Sequence, residues 1–311
     1  MRVALILLVL GAAGCKDSSA PGAAGGNPTS RSNAPEVQTI AIPEFRPHRA
    51  IEPGVQFLDM TVQRDGKPMR IWLYLPDRSE GKLPLVLVPP AGSTLVAGMQ
   101  LSEGDRPEHI PYVKARFAVG SFDIDGAVPE HLQKKDAAIL KAARDFRDAR
   151  AGVLNVQAAL DVILAKMPGI DPGRIAIAGH SSAATLALLA AENEPRIKAC
   201  AAYAPVTDVE ARLSMMTSRL EGAIPGYTDF LHDSSPKNHV DKLTCPVFLF
   251  HAEDDNNVPI GQSRQFVELL KKSNPNVTFV TTKRGGHSES MTREGMPKGI
   301  EWLKQVFNGT N

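Results

Sequence analysis

The chain has 311 residues, 35 of them basic and 34 acidic, for a formal net charge of +1, with 43% hydrophobic side chains and 3 cysteines. Near-neutrality argues against a nucleic-acid binder, which presents a strongly basic face, and three cysteines cannot form a disulfide framework. The hydrophobic fraction is too low for a bundle of membrane spans, and the length suits either two small domains or one large one with a substantial core.

Met1-Arg2 is followed by an apolar run over residues 3–10 and then by Gly11-Ala12-Ala13-Gly14-Cys15. One cation, a short apolar stretch and small residues describe a secretory signal, and the run is far shorter than the ~20 residues a spanning helix needs. The segment resembles a bacterial lipoprotein signal, with Ala12 where that pattern prefers Leu. The resemblance implies cleavage after residue 14 and lipidation of Cys15. Residues 16–46 are rich in Ser, Ala, Gly, Pro and Asn without apolar periodicity, so they read as a flexible tether. The expected organisation is a signal peptide over 1–14, a lipidated Cys15 and tether over 15–50, and one folded domain over 51–311. That places the body outside the cytoplasm, anchored at a bacterial membrane on the periplasmic face or cell surface.

Residues 56–62 and 69–75 alternate in hydropathy and flank Arg64-Asp65-Gly66-Lys67, which predicts a hairpin with Gly available for positive φ. Residues 83–88, 175–178, 199–203, 247–250 and 277–281 are short apolar runs without alternation, as expected for strands buried on both faces of a parallel sheet. Residues 117–124 add one more strand. Between them, Ile139, Ala143, Phe146, Val153, Val156, Leu160 and Ile163 recur at helical spacing, with an interruption near Gly152. Further helices are expected over 182–191, 262–271 and 293–307. Strands alternating with helices predict an α/β protein with a mostly parallel central sheet flanked by helices on both faces, in one domain.

Three segments carry chemistry. A buried strand runs into Gly179-His180-Ser181-Ser182-Ala183 and then into a helix. A sharp strand-to-helix turn strains its central residue and tolerates only small neighbours two positions away, which Gly179 and Ala183 satisfy around Ser181. Centring the turn on Ser182 would put His180 in the crowded position. Ser181 also suits a helix N-cap. The strand over 247–250 leads into His251-Ala252-Glu253-Asp254-Asp255-Asn256-Asn257-Val258-Pro259, and the last strand leads into Gly285-Gly286-His287. A serine needs a base to remove its proton, and the base needs an orienting carboxylate. Both follow in the order Ser, Asp, His, each just beyond a strand's carboxyl end, with Glu253, Asp254 and Asp255 all open as the acid.

With Tyr203-Ala204-Pro205 and Ser235-Pro236, these motifs resemble the α/β-hydrolase superfamily from about Gln56 to Phe307. The likeness is to the prolyl-oligopeptidase catalytic domain and to the related dienelactone-hydrolase and esterase group. The resemblance implies the α/β-hydrolase fold and a triad of Ser181, Asp255 and His287. Its acid stands two intervening residues before Val-Pro, which favours Asp255 over Asp254. It also implies an oxyanion hole made by the backbone N–H of Ser182 and a second N–H from Pro89-Pro90-Ala91-Gly92-Ser93. Prolines lack that donor, so Ala91 is first choice and Gly92 second. Ala183 and Ala252 stand where the group usually has Gly.

The remaining histidines, among them His180, His251, His109, His131, His232 and His239, read as packing, capping or surface residues. Cys200 and Cys245 read as buried free thiols. The excursion over 206–239 is expected to cover part of the substrate pocket, with Met215, Met216, Tyr227 and Phe230 as candidate lining or, equally, as residues that pack against the core. The function expected is cleavage of carboxylic esters or similar small acyl substrates through an acyl-enzyme. It needs no metal or cofactor, and its partners are a small acyl substrate and the membrane. One alternative is a peptidase acting on short peptides, although only the tether and about two strands precede the hydrolase core, with no room for a size-screening propeller there. Another is an inactive hydrolase fold that binds at the surface.

Overall fold

In the computed structural model the structure describes residues 44–46, 49–79 and 81–309. The signal peptide, Cys15 and nearly all of the tether lie outside the described residues. The strands are β1 (Arg49–Glu52), β2 (Val55–Arg64), β3 (Lys67–Pro76), β4 (Leu83–Leu87), β5 (Ala118–Phe122), β6 (Ile170–His180), β7 (Ala199–Tyr203), β8 (Val247–Ala252) and β9 (Val277–Thr282). The helices are α1 (Arg106–Lys114), α2 (Asp136–Asp148), α3 (Val153–Lys166), α4 (Ser182–Asn193), α5 (Val209–Ala223), α6 (Tyr227–Asp233), α7 (Ile260–Leu270) and α8 (Met296–Asn308). Folded chain begins ahead of the expected boundary at residue 51. β1 starts at Arg49 and pairs with β2, while Arg46 and Glu44 are bonded to Asp59 and Lys166.

Among the described residues the nine strands join one sheet in the order β1-β2-β3-β5-β4-β6-β7-β8-β9. The first three and the β3–β5 pair are antiparallel; from β5 through β9 every pairing is parallel. The β2–β3 hairpin turns at Asp65 and Gly66, both with positive φ (49° and 74°), the geometry that matches the twist of its strands.

The apolar runs without alternation bury both faces in strict alternation. Leu85, Leu87, Ile175, Ile177, Val247 and Leu249 face one core layer with residues of α2, α3, α4 and α7. Val86, Ala176, Ala178, Ala199, Ala201, Phe248 and Phe250 face the other with residues of α1 and α8. Burying each large aliphatic side chain contributes about 1.5–3 kcal/mol, which makes a one-residue slip of any central strand prohibitive.

The long helical pattern is two helices. Arg150, Ala151 and Gly152 all take positive φ (52°, 54° and 93°) between α2 and α3, so the backbone reverses handedness where the sequence places its glycine. Besides β1, three helices have no counterpart among the expected elements. α1 carries two prolines and little amphipathic signal, and α5 and α6 make up the excursion between β7 and β8. Cys200 and Cys245 are free.

Candidate active site

β6 ends at His180 and α4 begins at Ser182, so Ser181 alone makes the turn, at φ 58° and ψ −123°. A non-glycine residue in this region carries strain of about 1–3 kcal/mol, held here by surrounding packing and hydrogen bonds. The Ser181 N–H donates to the Tyr203 carbonyl at 2.9 Å, and its own carbonyl accepts from Ala184 and Thr185 N–H. A Cβ at Gly179 would lie 2.4 Å from the Ala183 carbonyl oxygen, so only glycine lets strand and helix close this tightly. The turn presents the residue at the carboxyl end of β6, facing the loops that follow β8 and β9.

β8 leads directly to Asp255, which is 8% exposed and has an unexposed side chain. Its Oδ1 accepts the N–H of Asn257 at 2.8 Å and of Val258 at 2.9 Å. Its Oδ2 accepts His287 Nδ1 at 2.7 Å and lies 3.2 Å from His251 Nε2. Burial alone would raise this carboxyl; the hydrogen bonds from His251, His287 and Val258 N–H outweigh it and hold Asp255 well below the usual carboxylate range. The carboxylate is therefore charged at any working pH and fixes His287 with the proton on Nδ1. His287 Nε2, the other ring nitrogen, is buried without a partner among the described residues.

The backbone around His287 is held from several sides, Ser290 Oγ donating to the Gly286 carbonyl at 2.6 Å and Thr292 N–H to the Ser288 carbonyl at 3.1 Å. Asp254 accepts the N–H groups of Gly285 and Gly286 at 3.1 and 2.8 Å, and His180 Nε2 donates to the His287 carbonyl at 2.9 Å. The structure thus joins Asp255 to His287 directly and brings His287 against the residue that precedes Ser181. Asp254 holds the glycine turn, while Asp255 holds the ring.

The loop after β4 is tied to the same turn. Gly92 and Ser93 donate their N–H groups to Ser182 Oγ at 3.1 and 2.9 Å. Gly92, the second choice for the oxyanion hole, thus directs its N–H at the buried Ser182 hydroxyl, which also accepts from Ser93. The far end of the loop is held as firmly, since Asp123 pairs with Arg70 through Oδ1 and Oδ2 at 2.7 and 2.8 Å and also accepts Leu101 N–H.

The profile of the Prolyl oligopeptidase family matches residues 145–310, just over half of the chain. The chain belongs to the prolyl oligopeptidase family. It is a serine hydrolase with the α/β-hydrolase fold. No curated protein sequence matches it. Among solved structures it is similar to a cold-adapted esterase from an Arctic intertidal metagenomic library, at 19% identity and TM-score 0.58 over 83% of this chain and 97% of that one. It is also similar to acetyl xylan esterase 1 from Thermoanaerobacterium sp. JW/SL YS485, at 15% identity and TM-score 0.60 over 85% and 87%. A puromycin-hydrolyzing peptidase of Mycobacterium tuberculosis matches at 20% identity and TM-score 0.61, over 80% of this chain but 39% of that one.

The residues offered as pocket lining or core packing fall in different settings. Met215 is 100% exposed, because it falls on the face of α5 opposite Leu213 and Leu220, which are buried. Met216 is partly buried against the core. Tyr227 and Phe230 are core residues whose rings pack on each other at 5.0 Å, with Phe146 6.0 Å from Phe230. A cavity of about 20 Å³ beside Ser182 is lined by Ser93, Leu95, Phe146, Thr185, Leu186 and Val209 among others, and by none of the four.

His251, read as a packing residue, is a partner of the acid. Its Nε2 also lies 2.9 Å from the Val258 carbonyl, and its Nδ1 meets Ser263 Oγ at 2.8 Å. A carbonyl only accepts, so Nε2 carries the proton and Ser263 donates to Nδ1. His251 is the next-to-last residue of β8, four residues before Asp255.

Proposed function

We propose that this hydrolase cleaves carboxylic esters of small acyl groups through an acyl-enzyme, with Ser181 as nucleophile, His287 as base and Asp255 as its orienting acid. The observation that carries the reading is the positive-φ Ser181 turn combined with the 2.7 Å bond between His287 Nδ1 and Asp255. In the first half-reaction Ser181 Oγ attacks the ester carbonyl carbon as His287 Nε2 takes the hydroxyl proton. The imidazolium, stabilised by the Asp255 charge, returns that proton to the leaving alkoxide as the carbon–oxygen bond breaks. A water then attacks the acyl-serine, His287 accepting its proton and passing it to Ser181 Oγ as the acid departs. The N–H of Ser182, in the first turn of α4 where no intrahelical acceptor exists, and that of Ala91 would hold the tetrahedral oxyanion. Such a donor is typically worth about 3–4 kcal/mol of barrier.

What supports esters over peptides is the extent of the structural likeness. The chain covers 97% and 87% of the two esterases, against 39% of the puromycin-hydrolyzing peptidase. The peptidase reading draws on the family itself, and the two separate by turnover. An aryl acetate should be hydrolysed far faster than a dipeptidyl anilide, and a fluorophosphonate probe should label Ser181. Preference for the anilide would reverse the assignment of substrate, and absence of labelling would point to a binding fold.

We also propose that Cys15 is lipidated after cleavage behind Gly14, tethering the hydrolase at the extracytoplasmic face of a bacterial membrane. The support is the sequence of residues 1–15 and the composition of the tether. In a bacterial host, Cys15→Ser should move the protein from the membrane to the soluble fraction; unchanged partitioning would refute the anchor.

A further inference from the structure

His180 occupies the variable position between the glycine and serine of the turn, and its side chain is only 6% exposed. Its Nε2 lies 2.9 Å from the carbonyl oxygen of His287, 107 residues away in sequence. Because that oxygen only accepts, Nε2 carries a proton, and Nδ1 lies 3.7 Å from the Glu108 carboxylate of α1. The His180 and His287 rings lie 4.6 Å apart, tilted by 40°. A side chain that merely filled this space would need the ring but not the donor.

We infer that His180 is a positioning residue for the base, seating His287 through the hydrogen bond from Nε2 to its backbone carbonyl. The inference rests on the reading of His287 as base and Ser181 as nucleophile. Asp254 holds the two N–H groups before His287 and Asp255 holds its Nδ1, but neither fixes the peptide that follows the ring. Ser290 and Thr292 bond the carbonyls of Gly286 and Ser288 on either side, from the same segment as His287, whereas the His180 bond holds the His287 carbonyl itself and starts from the turn that carries Ser181. Nucleophile and base are thereby referenced to each other through one side chain instead of through the separate loops of β6 and β9. In reacting pairs, a displacement of about 1 Å lowers the rate by about a hundredfold, so the loss of this bond should appear in kcat.

The test compares two side chains of equal length, His180→Gln, which keeps a donor near the Nε2 position, and His180→Met, which removes it. With an aryl acetate as substrate, His180→Met should lower kcat about 30-fold or more with KM within about twofold, and His180→Gln should recover most of that loss. The downfield proton resonance of His287 Nδ1–H should broaden in the Met variant and sharpen again in the Gln variant. Equal kcat in the two variants, or a Met variant within twofold of the parent, would overturn the inference. Should the Met variant fail to fold, His180→Phe is a second donor-free side chain for the same comparison. Failure of the underlying reading is separate and visible beforehand, as a parent protein that neither turns over the ester nor labels at Ser181.

Discussion

Asp255 and Glu192 are carboxyls at the same depth, each 8% exposed, and they end in opposite charge states. Asp255 stands at the carboxyl end of β8 among backbone N–H groups and two imidazoles, and these hold it ionised. Glu192 stands in the last turn of α4, where the helix dipole disfavours an anion, and neither of its oxygens has a hydrogen-bond partner among the described residues. Burial pushes Glu192 up to about 9, with Lys242 opposing the shift and Asp241 adding to it. Depth is common to both; partners decide the charge. The carboxyl end of β8 surrounds its carboxylate with donors, whereas at the far end of α4 the donors present, Arg150 and Gln157, go to Asn193 and none among the described residues reaches Glu192.

The largest effect expected from breaking this contrast is at Asp255. Asp255→Asn removes the charge while keeping shape, and should lower kcat on an aryl ester about a thousandfold or more with the melting temperature little changed. A loss under tenfold would mean that the carboxylate does not act through His287.

Glu192→Gln should act on stability instead. The unfolded carboxyl titrates near 4.5 and the folded one near 9, so between those values the unfolded chain releases a proton that the folded chain retains. The stability that protonated Glu192 contributes is complete below about 4.5 and is lost as pH rises toward 9. The Gln variant should therefore melt several degrees above the parent at pH 8, with the gap closing toward pH 5 and turnover unaffected. Parallel melting curves across this range would show that Glu192 is ionised in the folded protein.

The smallest effect is expected at Asp254, whose carboxylate is exposed, so water can replace it at the Gly285 and Gly286 N–H groups. Asp254→Ala should cost about three- to tenfold in kcat. A loss as large as that of Asp255→Asn would transfer the acid's role to Asp254.

Much of this site was legible in the sequence, for physical reasons that also mark where legibility stopped. Ser181, Asp255 and His287 each follow a buried apolar run, and a sharp turn after such a run leaves a local signature of glycine, small residues and polar tips. The antiparallel ribbon was equally plain, since Asp65-Gly66 and period-two alternation are local signals. His180 and His251 act through contacts across strands: His180 meets a carbonyl contributed after β9, and the role of His251 depends on Ser263 in α7 and on the fold of residues 255–258. Nothing within either histidine's own segment distinguishes it from a core imidazole. Met215 could be placed in the excursion but not on a face of it, since only the structure shows that Val209, Leu213 and Leu220 define the buried face of α5 and leave Met215 exposed on the other side. Composition alone does not reveal that Ser182 Oγ accepts the Gly92 N–H.

The most direct measurement of the central claim is the turnover of an aryl acetate by Ser181→Ala, in protein that retains the parent's melting temperature. Loss of kcat by at least about 10⁴-fold, together with loss of fluorophosphonate labelling, is the expected result. Turnover within tenfold of the parent would contradict Ser181 as the nucleophile.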